Sequence, residues 1–295
     1  MKTLIIETTN PKILGELVTV SKLFCTTPDI VALGEGELPG VYGKAFSMPD
    51  TLAANICPSL TDLIKMEGYE VILLSSTAIG SGLAGLLAVG LDAPILTEVT
   101  GVTEGLVVER ALYGSKAVAS YKVDSGPLVL TVKRKYFEAA KLEGVTEASE
   151  IPAGTQRVTL LEEIEEERKG IPLEDADAIV TGGRGIGSKD NFAMLNDLAE
   201  LLNGAVGASR GAVDEGWMSP SAQIGQTGKI VAPSVYFAIG VSGASQHLAG
   251  ISNAKCVVAI NKDEDANIFK RARFGIVGDY KKVLPLLIND LKERS

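Results

Sequence analysis

Short apolar runs alternate with amphipathic stretches along the first part of the chain. "TLIIE", "DIVAL" and "YEVILLS" are continuous apolar runs, which are typical of strands buried in a parallel sheet. Helix-like patterns follow at residues 11–24 and in "SLTDLIKMEG" and "SGLAGLLAVGL". Because strand and helix patterns alternate, the sequence predicts βαβ units and an α/β fold.

After Pro94 the pattern changes to consecutive strands. "GLVVERALYG", "SKAVASYKV" and "PLVLTVKRKYF" all have strand character, and turn signals at Gly114 and in "DSGP" separate them. We expect these three strands to form an antiparallel patch or an extension of the sheet.

The segment 138–176 is polar, and its charged run at 162–169 is typical of a solvated connector. We therefore expect two domains, residues 1–170 and residues 171–295.

The second domain returns to strand–helix alternation. Predicted helices lie at 191–202, around His247, around Phe269 and at 281–292, and five apolar runs supply strands. This pattern predicts a doubly wound parallel sheet. The predicted strands are 178–182, 205–209, 235–239, 256–260 and 274–277.

Composition narrows the function classes. A formal net charge of -9 argues against nucleic-acid binding. The longest apolar region is broken by Asp92 and Pro94 and is shorter than the ~20 residues of a membrane span. Three widely spaced cysteines and one histidine make a zinc site a poor interpretation. We expect a cytoplasmic protein that is not embedded in a membrane.

Polar residues follow the predicted strands of the second domain. They are Ser209, Arg210, Ser242, Asn261 and Asp279. The carboxyl ends of parallel strands share one edge of a sheet, where ligands bind in open α/β folds. The sequence therefore predicts a binding site at this edge.

Two glycine-rich turns precede helices in the same domain. "GGRGIGSKD" fits G-x-G-x-x-G in no register, so it predicts either a tight turn alone or a backbone cradle with Arg184 near a phosphate, ribose or adenine. The second turn is "SGASQH", where Gly243 and the preceding Gly240 permit close backbone approach, and Ser242 is expected to be a helix N-cap or a hydroxyl donor. Free N–H groups at such a helix start favour an anion.

His247 is the only histidine of the chain and lies about four residues into the predicted helix. It is either an ordinary hydrogen-bonded residue or a hydrogen-bond donor or charge stabiliser at the site. "AQIGQTGKIV" adds Gln223, Gln226 and Thr227 without a nucleophile–base pair. This set is suited to holding a polar dinucleotide whose own chemistry is tuned by the protein.

At these residues the sequence resembles the alpha subunit of electron transfer flavoproteins. The resemblance is carried by "GGRGIG", "AVGASRGAVDEGW", "QIGQTGKIVAPSVYFAIGVSGASQHLAGI" and "VVAINKDEDANIFKRARFGIVGD". It implies a Rossmann-like domain of the adenine-nucleotide-hydrolase type followed by an FAD-binding domain. It also implies a heterodimer with a beta subunit. This heterodimer would carry electrons from flavoprotein dehydrogenases to a quinone oxidoreductase or another acceptor, and would not itself be an enzyme.

The resemblance also implies roles for individual residues. Arg210 would lie beside the isoalloxazine ring, Thr227 near flavin N5 and His247 at the C2 carbonyl oxygen, with Arg210 and His247 stabilising the flavin semiquinone. Ribityl and pyrophosphate groups would be held by Ser209, Gln226, Ser242, Gly243, Ala244, Ser245 and Gln246. The adenosine end would be held by Arg184, Asn261 and Asp279. Gln223, Ile224 and Gly225 complete the predicted FAD site.

Three alternatives stay open at the level of sequence. The chain could be a subunit of an electron-bifurcating flavoprotein with a second FAD on the beta partner. It could be a nucleotide-binding enzyme domain of the NAD or thiamine-diphosphate type, against which the missing G-x-G-x-x-G counts. It could also be a redox-silent nucleotide-binding or subunit-assembly protein.

Overall fold

A computed structural model describes residues 1–49, 51–103, 107–113, 117–123, 126–154, 156–162 and 170–294. The chain divides into two compact units, Met1–Glu163 and Ile164–Ser295. The predicted turn at Gly114, the first half of "DSGP" and nearly all of the charged run 162–169 lie outside the described residues.

The first unit is a mixed α/β structure, as the alternating pattern predicts. Within its described residues, the large sheet has the order β11-β4-β2-β1-β5-β9-β6-β7-β8, and β3 pairs with β10 separately. The strands are β1 (Thr3–Thr8), β2 (Asp29–Leu33), β3 (Leu38–Pro39), β4 (Ala45–Met48), β5 (Val71–Ser75), β6 (Ile95–Thr103), β7 (Val107–Leu112), β8 (Ala117–Lys122), β9 (Leu128–Val132), β10 (Val145–Thr146) and β11 (Ser149–Glu150). The helices are α1 (Pro11–Ser21), α2 (Ala53–Glu67) and α3 (Ala78–Leu91).

The expected antiparallel patch or sheet extension describes β7 and β8 correctly but not β9. β7 and β8 pair antiparallel, whereas β9 lies between β5 and β6 and is parallel to both. The physical reason is burial. All five residues of β9 are buried, so this strand fills the centre of the sheet, while β8 is exposed along most of its length.

The second unit is the predicted doubly wound sheet. Its five described strands are all parallel, in the order β13-β12-β14-β15-β16. The strands are β12 (Ala178–Gly182), β13 (Ala205–Ala208), β14 (Val235–Ile239), β15 (Cys256–Asn261) and β16 (Phe274–Val277). The helices are α4 (Phe192–Leu201), α5 (Arg210–Asp214), α6 (Ser245–Gly250) and α7 (Tyr280–Arg294), and a 3₁₀ turn covers Asn267–Lys270.

The strand order reverses between β12 and β14, and this switch point leaves a crevice at the carboxyl ends of the two strands. The turns that leave the two strands pack backbone against backbone. Gly185 N–H donates to the Gly240 carbonyl oxygen at 3.0 Å. A Cβ on Gly183 would lie only 2.1 Å from that oxygen, so this crossing requires glycine. Ligands of doubly wound sheets bind in the crevice at such a point.

Candidate functional site

A cleft of about 660 Å³ opens at the carboxyl ends of the strands of the second unit. Every predicted site residue except Ser245 and Asp279 lies in its lining. The lining also includes residues that sequence reasoning missed, namely Gly185, Gly211, Val241 and Asp263, together with Gly240, which the sequence had marked as a point of close backbone approach. The structure therefore brings most of the predicted set into one cavity.

Arg210 is the first residue of α5, directly after β13 and its successor Ser209. The Arg210 side chain is 73% exposed, and its Nε lies 3.5 Å from Asp214 Oδ2. Exposed pairs of this kind bind weakly, because water screens both charges. The guanidinium therefore remains free to interact with an anionic group in the cleft.

The loop from Gln223 to Lys229 forms a second wall. Ile224 N–H donates to the Ala208 carbonyl oxygen at 2.9 Å, and Gln226 N–H donates to the Gln246 carbonyl oxygen at 2.8 Å. These bonds fix the loop between β13 and α6. Gln223 Nε2 donates to Thr227 Oγ1 at 3.0 Å. The Thr227 hydroxyl proton is therefore free to be donated to a ligand.

The turn before α6 forms a third wall and corrects one prediction. Ser242 is not the N-cap of the helix: α6 begins at Ser245, Ala244 occupies the cap position, and no side chain caps the helix. Ser242 instead lies in the turn, where its carbonyl oxygen accepts from Ile268 N–H at 3.2 Å. His247 is consequently the third residue of a helix of six residues, nearer its start than expected.

Asn261 and Asp263 form the end of the cleft that follows β15. Asn261 Nδ2 donates to the Val241 carbonyl oxygen at 2.9 Å, and Asn261 Oδ1 accepts from Asp263 N–H at 3.1 Å. These bonds bridge the turns after β14 and β15. The sequence signal for Asp263 is its place two residues after the strand-end asparagine, where Asx turns form.

Asp279 lies outside the lining because its carboxylate has partners of its own. It accepts from Lys281 N–H at 3.0 Å and pairs with Lys262 Nζ at 3.1 Å. The Lys281 backbone bond and the Lys262 ammonium together lower the pKa of Asp279. The carboxylate therefore stays ionised at the end of β16, the outer strand of the sheet.

His247 is buried in the cleft wall, with 6% of its surface exposed. Its Nδ1 lies 3.0 Å from the Ile224 carbonyl oxygen, and its Nε2 lies 2.9 Å from the Tyr236 hydroxyl. Burial lowers the pKa of His247 to about 4, and the bond to Ile224 opposes this shift only in part. The imidazole is therefore neutral at pH 7, and the positive charge among the residues that line the cleft comes from Arg184 and Arg210.

The lowered pKa predicts a pH-dependent stability. The unfolded chain takes up a proton at His247 near pH 6.5, while the folded chain does so only near pH 4, so acidification between these values favours unfolding. At pH 5 we expect His247 to cost about 2 kcal/mol of unfolding free energy relative to pH 7.5. The check compares denaturant unfolding of the wild type and His247→Gln, followed by the fluorescence of Trp217, the single tryptophan.

The difference between these two proteins cancels the titration of the carboxylates that they share. Above about pH 7.5 the difference is expected to be constant, because His247 is then neutral in both states. A difference that stays the same from pH 7.5 to pH 5 would show that His247 titrates in the folded chain with the same pKa as in the unfolded chain.

The described residues contain no group of three or more His, Cys, Asp or Glu side chains that could hold a metal ion. Across the same ranges, no helix has both the length and the apolar character needed to cross a membrane. The lining of the cleft includes neutral hydrogen-bonding groups, two arginines, Asp263 and glycine-rich backbone.

Two protein-family models match this chain, and one of them covers most of the cleft. The model described as "Electron transfer flavoprotein FAD-binding domain" matches residues 172–252, and the model described as "Electron transfer flavoprotein domain" matches residues 42–164. The first range holds three walls of the cleft, while Asn261 and Asp263 follow it.

Three similar proteins are described as "Electron transfer flavoprotein subunit alpha". The one from Thermoanaerobacterium thermosaccharolyticum is 41% identical over 246 residues, which cover 80% of this chain and 74% of the relative. The one from Mycobacterium leprae is 36% identical over 97% of this chain and 92% of the relative. The one from Bacillus subtilis is 40% identical over 78% and 73%.

Proposed function

The chain belongs to the family of electron transfer flavoprotein alpha subunits, and we propose that it carries electrons on an FAD bound in the cleft of its second unit. FAD is the cofactor of the family's domain that matches here. The observation that carries the proposal is the convergence of the turns after β12, β13, β14 and β15 on one cavity, with Arg184, Arg210 and His247 in its lining.

The residues of the cleft fit a dinucleotide. Its volume lies within the usual range of ligand pockets. Gly225, Gly240 and Gly243 all have positive φ and expose backbone to the cavity, which lets a ligand approach closely. Arg184 and Arg210 supply positive charge for an anionic ligand. The turn after β12 lacks G-x-G-x-x-G, so it gives no support to an NAD-type enzyme domain.

Within this proposal the ligand is held in three parts. Arg184, Asn261 and Asp279 hold the adenosine end, and Asp263 joins them because it lines the same end of the cleft. The middle of the ligand is held by Ser209, Gln226, Ser242, Gly243, Ala244, Ser245 and Gln246. The flavin end is held by Gln223, Ile224, Gly225, Thr227, Arg210 and His247.

The residues at the flavin end tune the electron affinity of the cofactor. FAD supplies the redox chemistry itself. The guanidinium of Arg210 favours the negative charge that reduction adds to the flavin. Thr227 has a hydroxyl proton to donate, and His247 contributes a neutral, buried dipole rather than a charge.

The family membership also supports a set of partners. We propose a heterodimer with a beta subunit, with flavoprotein dehydrogenases as electron donors and a quinone oxidoreductase or another redox protein as acceptor. A bifurcating variant, with a second FAD on the beta subunit, is the alternative within the same family.

The test is the flavin content of the chain purified together with its beta partner. We expect the visible spectrum of a flavin and one FAD per heterodimer after release and identification of the cofactor. Two FAD molecules would favour the bifurcating variant. A complex without flavin, even after incubation with FAD, would contradict the proposal and favour a redox-silent nucleotide-binding or subunit-assembly protein.

A further inference from the structure

A buried tyrosine stands behind the cleft in contact with the only histidine. Tyr236 belongs to β14 and has none of its surface exposed. Its hydroxyl lies 2.9 Å from His247 Nε2, and the two rings are tilted by 55° with centroids 6.2 Å apart. A buried tyrosine hydroxyl requires a hydrogen-bond partner, and His247 provides one.

The contact of His247 Nδ1 with a backbone carbonyl group determines the tautomer of the imidazole. His247 Nδ1 lies 3.0 Å from the carbonyl oxygen of Ile224, which can only accept a hydrogen bond. Nδ1 must therefore be the protonated nitrogen of the neutral ring. Nε2 is then an acceptor, and the Tyr236 hydroxyl must donate to it. The reverse tautomer would leave two lone pairs facing each other at Ile224.

The backbone around this pair is fixed from both sides. Ile224 is tied to Ala208 of β13, and Tyr236 pairs in register with Ile179 of β12 and Val257 of β15. The donor and the acceptor that hold the imidazole therefore belong to the rigid sheet and to the loop anchored on it. Rigid elements of this kind can hold a side chain in a defined orientation.

We propose that Tyr236 is the positioning residue of His247, and that its hydroxyl, together with the Ile224 carbonyl group, fixes the imidazole in the cleft wall as the neutral Nδ1–H tautomer. The consequence for FAD rests on the proposed function. While the Tyr236 hydroxyl donates to Nε2, His247 has no N–H left for a flavin carbonyl group. Both ring nitrogens are engaged by Tyr236 and Ile224, so His247 can donate to the flavin only if the imidazole leaves one of these two partners.

The test uses the fact that the chain has one histidine. The full chain, without a histidine tag, is labelled with ¹⁵N at the imidazole, so that both nitrogen signals belong to His247. We expect a protonated Nδ1 and an unprotonated Nε2 at pH 7. In Tyr236→Phe the Nε2 signal is expected to move toward that of a nitrogen without a donor, and a fraction of the reverse tautomer is expected to appear.

The matched control is Tyr280→Phe. The Tyr280 hydroxyl is also buried in this unit and donates to the Ile186 carbonyl oxygen at 2.7 Å, away from His247. We expect it to leave both signals of His247 unchanged. An Nε2–H tautomer in the wild type would overturn the proposal, and this result needs no substitution. Unchanged signals in Tyr236→Phe, or equal changes in the two variants, would also overturn it.

Addition of FAD separates this proposal from the proposed function. The tautomer is first measured without flavin, where it depends only on Tyr236 and Ile224. FAD is then added to the labelled chain in complex with an unlabelled beta partner. A shift of the His247 signals supports a flavin at this wall. Bound flavin with unchanged signals would contradict the assignment of His247 to the flavin and leave the role of Tyr236 intact.

Discussion

Gly243→Ala is expected to destabilise the second unit by about 3 to 5 kcal/mol and to weaken FAD binding at least tenfold. Gly243 has φ of 82°, and a Cβ there would lie 2.2 Å from the backbone nitrogen of Ile268. The backbone of Ile268 cannot move aside as the end of a flexible side chain could. The turn that lines the cleft would have to move, and Ile268 N–H would lose its bond to the Ser242 carbonyl oxygen.

Gly187→Ala is the matched control, because Gly187 has φ of 83° and a Cβ there would enter open space among the described residues. We expect it to cost about 1 kcal/mol through backbone strain alone. Denaturant unfolding, followed by Trp217 fluorescence, and FAD titration measure both variants. Equal losses in the two variants would show that the close approach of Gly243 to Ile268 does not hold the cleft together.

Arg210→Ala is expected to lower the potential of the first one-electron reduction of the bound flavin by about 60 to 120 mV, which corresponds to a tenfold to hundredfold change in the equilibrium constant. Arg210 supplies positive charge to a cleft in which His247 is neutral, and reduction places negative charge on the flavin. The change is measured by redox titration of the heterodimer.

Arg210→Lys is the conservative control, since it keeps the charge while losing the planar guanidinium. We expect it to retain most of the wild-type potential. If Arg210→Ala left the potential within the error of the titration while FAD remained bound, the charge of Arg210 would have no part in tuning the flavin.

The strands of the second unit and most of the cleft could be predicted from the sequence. Apolar runs marked β12 to β16, and the polar residues that follow them were expected at one edge of the sheet. Ser209, Arg210 and Asn261 all line the cleft. The rule succeeds because parallel strands carry their ends to a common edge, whatever the details of side-chain packing.

Asp279 is an exception to the rule that polar residues after parallel strands line the cleft. It also follows a strand, but β16 is the outer strand, and Asp279 is engaged by Lys262 and by Lys281 N–H. The position of β9 was missed for a related reason. Its place between β5 and β6 depends on pairing with distant segments, which a local apolar pattern does not reveal.

The environment of His247 also required the structure. Tyr236 belongs to the apolar run "VYFAI", where it indicates a strand and gives no sign of a hydrogen bond to the imidazole. Its contact with His247 depends on how the loop 223–229 and α6 pack over β14. The sequence resemblance assigned His247 to the site; in the structure, burial explains why its ring is neutral there, and the two partners of the ring fix its orientation.

The most direct test of the electron-carrier role is a stepwise reduction of the FAD-loaded heterodimer, followed by its visible spectrum. A carrier that accepts electrons singly predicts two successive stages, with a one-electron-reduced flavin accumulating between them, and a smaller yield of that species in Arg210→Ala. Reduction in a single two-electron stage, with no such species in the wild type, would contradict the role assigned to the cleft.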